Sequence, residues 1–222
     1  MVNEIMGPAS STNLHSYLHT RDSGLAHELL GPADGRLLDV GSGEGEDLAL
    51  LERQGWSVVG LDAMRPSPSA YSVLGVGERL PFRGGSFSAA TCILVLPHVS
   101  SPDAIVREVW RVLRPRGRAV FVVFSCSPLN LRIAVTRYHF SGDPHRFSAR
   151  LYRVRGLCRL LRLGGFREVR CWRSDYLPWM TGWMPAALRS RLLFALARSD
   201  RRLSRGPLGL FARKIVAVGV KR

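Results

Sequence analysis

The sequence predicts an α/β domain, a mostly parallel β-sheet with helices on both faces. Three observations predict it. Residues 36–62, RLLDVGSGEGEDLALLERQGWSVVGLD, read as strand, glycine turn, helix, strand and closing acid, which is half of a nucleotide-binding sheet. Phe87 to Leu96 is a near-continuous apolar run, the pattern of a central parallel strand covered on both sides. A helical stretch from Pro102 then gives way to a strand-like run ending at Phe124, so strand and helix alternate.

In chain order, residues 1–12 are polar and expected to be loose. Asn13 to Leu30 has leucines near helical spacing (Leu14, Leu18, Leu25, Leu29, Leu30), and Gly31-Pro32 stops it. His15 and His19 lie one turn apart on this helix, but a metal site needs a third strong ligand, so a solvated face is the reading. Arg36 to Val40 is the first strand. Gly41, Gly43 and Gly45 then alternate with Ser42 and Glu44, and Glu46 to Gln54 has helical spacing. Glycine in such a turn lets backbone approach a ligand closely. Amides of the helix's first turn face the same space. Asp62, closing the second strand, can accept both hydroxyls of a ribose. A dinucleotide fingerprint would place its third Gly or Ala where this chain has Glu46, and Asp39 adds an acid just before the turn. The turn therefore suits a ligand without a pyrophosphate.

Pro66 and Pro68 argue against a sustained helix after Asp62, leaving Tyr71 to Leu74 as a minimal edge strand. Ser101 is placed to cap a helix whose Ile105, Val109, Val112 and Leu113 face the sheet, with Pro115 and Gly117 ending it before a strand from Arg118 to Phe124. Residues 125–147 read as a loop or lid, Ser148 to Leu163 as a helix, and Phe166 to Trp172 and Ile215 to Val220 as strands. The connection 173–212 is long enough to carry structure of its own. Arg191, Arg198, Arg201, Arg202 and Arg205 fall on one side of a helix there, and Leu188, Leu192, Leu196 and Leu203 on another. Tyr176, Trp179, Met180, Trp183 and Met184 lie just upstream. That pattern suits an interfacial segment on anionic lipid, a lid over a hydrophobic substrate, or leucines packed on the sheet with arginines in water.

Asp39-Val-Gly-Ser-Gly-Glu-Gly45 followed by Val58-Val-Gly-Leu-Asp62 resembles motif I and the acidic second strand of the class I S-adenosylmethionine-dependent methyltransferases. GVGERLPF (75–82), SFSAATCILVLPHV (86–99) and PDAIVREVWRVLRPRGRAVF (102–121) follow, similar in order and spacing to the broad small-molecule branch of that family. The resemblance covers about residues 30–124. It implies one domain over 1–222, with a Rossmann-like, seven-stranded, mostly parallel sheet, helices on both faces and an antiparallel final strand. The third-strand region is shortened, and a helical insertion lies between the last two strands.

It also implies S-adenosylmethionine as cofactor, S-adenosylhomocysteine as product, and no metal. The cofactor residues it implies are Asp39, Gly41, Ser42, Gly43, Gly45, Asp62, Ala63, Gly77, Glu78 and Ile93. Asp62 would take the ribose hydroxyls, the 41–45 amides the methionine and sugar side, and Asp39 the methionine ammonium indirectly. Family members commonly carry Asp-Ala before the glutamate at Glu78; here Val76-Gly77 stand there, so backbone groups would replace that carboxylate toward adenine. His98, after the fourth strand, is the candidate general base, with a structural wall as the alternative. Tyr17, Tyr138, His139, His145 and Trp179 are candidates for the acceptor side.

Composition bounds the partners. The net charge is +15, split unevenly: residues 1–100 hold 6 Arg and 11 acids, residues 101–222 hold 26 Lys and Arg and 6 acids. Such polarity fits an anionic partner or an arginine-rich coding bias. Cys92, Cys126, Cys158 and Cys171 are scattered without a CxxC pair, which predicts a reduced, cytosolic chain. No apolar run approaches the roughly 20 residues that span a bilayer, and no secretory leader is expected. The reading is a cytoplasmic methyltransferase, peripheral at the inner membrane surface, acting on a phenol, quinone precursor, glycolipid or natural product. The alternatives are an RNA methyltransferase, disfavoured because no Asn-Pro-Pro-Tyr or Lys-Asp-Lys-Glu pattern occurs, a non-catalytic cofactor-binding module, and an NAD-dependent oxidoreductase, disfavoured by Glu46.

Overall fold

A computed structural model of the chain describes residues 24–43, 45–64, 71–128, 130–131, 150–175 and 207–222. Seven strands form one sheet: β1 (Arg36–Val40), β2 (Ser57–Asp62), β3 (Ser72–Leu74), β4 (Phe87–Ile93), β5 (Leu113–Phe124), β6 (Glu168–Ser174) and β7 (Lys214–Val220). Their spatial order is β3-β2-β1-β4-β5-β7-β6. The first five are mutually parallel, while β7 lies antiparallel between β5 and β6. Among the described residues the helices packed on the sheet are α1 (24–30), α2 (Glu46–Arg53), α3 (Pro102–Val112) and α4 (Val154–Leu163).

Side chains alternate across the sheet with period two. Leu38, Val40, Val59, Leu61, Phe121 and Val123 face α3 and α4, which contribute Ile105, Val109, Leu157 and Leu161. Leu37, Val58, Ala89, Val120, Val122 and Val216 face the other way, toward Ala26 and Leu30 of α1 and Leu48 and Leu51 of α2. Both faces are thus dry, as a parallel sheet requires.

Several boundaries differ from the sequence reading. β4 stops at Ile93 rather than Leu96, because Leu94 turns to φ 58° and a 3-10 turn, Leu96–His98, follows around Pro97. Ser101 makes no side-chain cap; its backbone carbonyl accepts from Ala104 and Ile105 instead. β5 begins at Leu113, and residues between Leu113 and Arg118 enter as a bulge. α4 starts at Val154, not Ser148. The preceding segment is extended because Tyr152 bridges Ser125, with its amide on the Phe124 carbonyl and its own carbonyl taking the Cys126 amide. Residues 125–131 are not a free loop. Helix begins at Pro128, and the Asn130 side-chain amide donates to the Ser125 and Arg213 carbonyls, both at 2.7 Å. The rest of the lid and the insertion from 176 to 206 lie outside the described residues.

The all-reduced expectation is corrected. Cys158 of α4 and Cys171 of β6 form a disulfide, since packing the helix on the edge strand brings their Cα atoms to 6.3 Å. A separation of 13 residues, without a motif, carries no pairing signal in the sequence. Cys92 and Cys126 are free thiols.

Candidate active site

The site lies at the carboxyl ends of β1 to β4, where open α/β sheets bind ligands. Gly41, Gly43 and Gly45 take φ of 79°, 52° and 82°, left-handed values that explain the alternation of glycine. At Gly41 a Cβ would also come within 2.2 Å of Val95 Cγ2. The Gly41 and Ser42 amides donate to the Leu61 carbonyl at 2.7 and 3.1 Å, so the turn is sewn onto β2.

That stitching extends to the acid. The Gly43 amide donates to Asp62 Oδ2 at 3.0 Å and the Met64 amide to Oδ1 at 2.8 Å. Two backbone donors, one on each oxygen, fix the carboxylate plane. The sequence reading gave the 41–45 amides to the ligand. In the structure those of Gly41, Ser42, Gly43 and Gly45 serve the turn itself. What the turn presents instead is open space where a Gly43 side chain would stand; Ser42 Oγ, buried against Gly60 of β2, has no hydrogen-bond partner among the described residues. A polar, side-chain-free cradle beside an oriented carboxylate fits the sugar and amino-acid parts of S-adenosylmethionine.

Asp39 is 3% exposed and accepts from Thr91 Oγ1 at 2.7 Å. Thr91 was missed by the sequence reading; its register opposite Asp39 in the β1–β4 pair is the signal that would have found it. Burial, and then the Asp39 charge, push the Cys92 thiol far up, which keeps it a neutral core side chain.

On the other side of Asp62, the Gly75 amide donates to the Asp62 carbonyl at 2.9 Å. Gly77 packs so tightly on Ile105 and Val40 that a Cβ would lie 3.0 Å from Ile105 Cδ1. Glu78 beside it is half-buried and Ala63 is exposed. Ile93, 7% exposed, packs in the core on the α2 side. His98 is exposed at the end of the 3-10 turn, its ring edge-on to Phe124 with centroids 6.1 Å apart. The structure therefore brings Asp39, the glycine turn, Asp62, Ala63, Gly77 and Glu78 to the ends of β1 to β3, with His98 following β4. Tyr17, Tyr138, His139, His145 and Trp179 lie outside the described residues. Among the described residues no cluster of three or more metal-binding side chains occurs.

Sheet order, antiparallel edge, glycine turn and acid together are the arrangement of the class I S-adenosylmethionine-dependent methyltransferase fold. The chain belongs to the methyltransferase domain family, whose profile matches residues 15–170. It is 38% identical over 110 residues to a demethylmenaquinone methyltransferase of Beutenbergia cavernae, covering 46% of each chain. It is 30% identical over 119 residues to a ubiquinone biosynthesis O-methyltransferase of Xanthomonas axonopodis pv. citri, covering 48% of this chain and 50% of that one. These matches span about half the length of both relatives. A solved S-adenosylmethionine-dependent methyltransferase of Thermotoga maritima superposes with a TM-score of 0.64 at 17% identity, over 95% of both chains, and supports the fold.

Proposed function

We propose that this protein transfers the methyl group of S-adenosylmethionine to a small, amphipathic acceptor of the quinone-precursor class. One observation carries the cofactor half: the Asp62 carboxylate is held by the Gly43 and Met64 amides, beside a glycine turn that leaves open space at Gly43. The names of the two relatives support the acceptor half. One is named for demethylmenaquinone and the other as an O-methyltransferase of ubiquinone biosynthesis, and both names point to the quinone class.

When bound, the cofactor supplies an electrophilic methyl on a sulfonium, and transfer is an in-line displacement. The protein's part is to hold the acceptor atom about 3–3.5 Å from that carbon and keep water away. In this reading Asp62 takes the ribose hydroxyls, Ser42 and the surface of the turn bear on the methionine and sugar side, and backbone at Gly77 and Glu78 borders adenine. Asp39, held by Thr91, acts on the methionine ammonium through intervening groups. His98, exposed at the carboxyl end of β4, takes the proton when the acceptor is a phenol. Acceptors of this class partition into membranes, so the reading includes peripheral contact with a bilayer. Among the described residues no helix is long and apolar enough to cross one.

Isothermal titration with S-adenosylhomocysteine tests the cofactor half; binding is expected, and absence of heat alongside binding of NAD would overturn it. Incubation with S-adenosylmethionine and reduced demethylmenaquinone tests the acceptor half, the expected product being heavier by one methylene. Cofactor binding without methylation of any quinone precursor would confine the reading to the cofactor.

A further inference from the structure

The second half of the chain carries a charge that the cofactor site does not use. Residues 150–173 contain eight arginines and a single acid, Glu168. Glu168 is already paired with Arg222 at 3.1 Å, and the next acid, Asp175, with Lys214 at 3.6 Å. The arginines are not spread evenly. In α4, Leu157 and Leu161 are fully buried against the sheet. At about 100° per residue, Arg155, Arg159 and Arg162 fall within an arc of about 60° on the opposite side. All three are exposed, as is Arg153 just before the helix. Leu163, at the far end of the row, is 74% exposed.

The row is fixed relative to the site. The Tyr152 hydroxyl donates to the Leu96 carbonyl at 3.1 Å and the Arg150 amide to the Pro97 carbonyl at 2.8 Å. The start of α4 is thereby tied to the turn that carries His98. The Cys158–Cys171 disulfide holds the same helix to β6. The arginines therefore form a fixed cationic row that begins beside the turn carrying His98.

We propose that the Arg155–Arg159–Arg162 ridge, with Arg153 at its head, docks the protein on an anionic phospholipid bilayer, from which a lipid-like acceptor reaches the site. The lipid source of that acceptor rests on the methyltransferase reading above; the docking itself does not. Charge complementarity commits the ridge to an anionic surface. Its chemistry favours lipid over RNA. Single-stranded nucleic acid is held on aromatic stacking platforms, whereas the helix that carries the row contains no aromatic residue and ends in an exposed leucine.

The test is co-sedimentation of the full chain with vesicles of phosphatidylcholine alone or mixed with phosphatidylglycerol, at low and raised salt. Binding is expected on the anionic vesicles alone and should weaken as salt rises. The triple variant R155Q/R159Q/R162Q should lose at least tenfold in partitioning. A control removing three exposed arginines elsewhere, R53Q/R83Q/R116Q, should stay within about fivefold of the parent, the scale of one such charge near a bilayer. Equal loss in both variants would reduce the effect to net charge and overturn the ridge. So would full retention by the ridge variant, or a single-stranded RNA oligomer that competes the protein off the vesicles with the same dependence on the ridge. Titration of the ridge variant with S-adenosylhomocysteine keeps the two readings apart. Unchanged affinity there shows an intact cofactor site, whereas absent affinity in the parent removes the enzyme reading and leaves the vesicle result to stand by itself.

Discussion

The Leu80 amide donates to a carboxylate oxygen of Glu108 at 2.7 Å, tying the segment before β4 to the middle of α3. Arg111, one turn on, completes the clamp. Its guanidinium bonds both Glu108 oxygens and donates to the Phe82 and Leu80 carbonyls at 2.8 and 3.0 Å. The Leu-Pro-Phe segment thus has its backbone polar groups satisfied by a helix roughly 30 positions away. Gly77 and Glu78, which the proposal sets beside adenine, lie between this clamp and the Gly75 amide on the Asp62 carbonyl. Glu108→Gln keeps the size and loses the charge. We expect it to cost about 1–3 kcal/mol of stability, the scale of a charge-assisted hydrogen bond left unmade. The Arg111 side chain is 39% exposed, so screening should keep the loss toward the lower end. Denaturant unfolding measures it, and a midpoint unchanged at constant slope would refute the clamp.

The same carboxylate makes stability depend on pH. The Glu108 carboxyl is held below its ordinary value, chiefly by the Arg111 hydrogen bond, with burial opposing and the Leu80 amide assisting. A carboxyl whose folded pKa lies below its unfolded one contributes stability that is fully present above the unfolded value, about 4.3. That contribution is lost as pH falls from there through the folded value. The parent should therefore lose more stability than Glu108→Gln between about pH 5 and 3. Unfolding midpoints collected across that range decide the matter; parallel curves would mean that the ion pair contributes nothing.

Asp62→Ala removes the anchor of the Gly43 and Met64 amides and, with it, the acceptor proposed for ligand hydroxyls. Affinity for S-adenosylhomocysteine should fall by at least about 1.5–3 kcal/mol, measured calorimetrically. Asp62→Asn, which keeps one acceptor oxygen, should fall between. If neither substitution changes the affinity, the carboxylate does not face the ribose.

What the sequence revealed and what it hid follow from how local each interaction is. The strand, turn and helix at 36–54 and the acid at Asp62 were readable because glycine spacing and hydrophobic period are properties of consecutive residues. Asp39, the glycine turn and Asp62 lie at the ends of β1 and β2 while Ile93 packs in the core, and the engagement of the Gly41 and Ser42 amides by Leu61 could not be foreseen from the motif. Thr91 beneath Asp39, the Glu108–Leu80 clamp and the Cys158–Cys171 bond all join residues that become neighbours through register or helix docking alone. The late start of α4 was hidden for a similar reason. Helical propensity continues back to Ser148, but Tyr152 has a tertiary partner in Leu96 and strand-like bonds to Phe124 and Cys126, and these outweigh propensity.

The glycines of the turn separate folding from binding, because the two central ones have different surroundings. Gly41 has φ 79°, and a Cβ there meets Val95 Cγ2 at 2.2 Å and Cβ at 3.4 Å. Gly41→Ala therefore carries the left-handed penalty of about 1–2 kcal/mol and a packing clash of about 1–3 kcal/mol. Relief would require moving either β1 or the chain after β4. Gly43 has φ 52°, with nothing within 4 Å of its missing side chain. Gly43→Ala should cost only the backbone penalty of about 1–2 kcal/mol in stability, yet its methyl enters the space assigned to the ligand. Thermal melts and S-adenosylhomocysteine titrations of both variants should therefore rank them in opposite orders, Gly41→Ala worse for stability and Gly43→Ala worse for affinity per unit of stability lost. Should Gly43→Ala bind as tightly as the parent, the open space beside the turn would not be where the ligand lies.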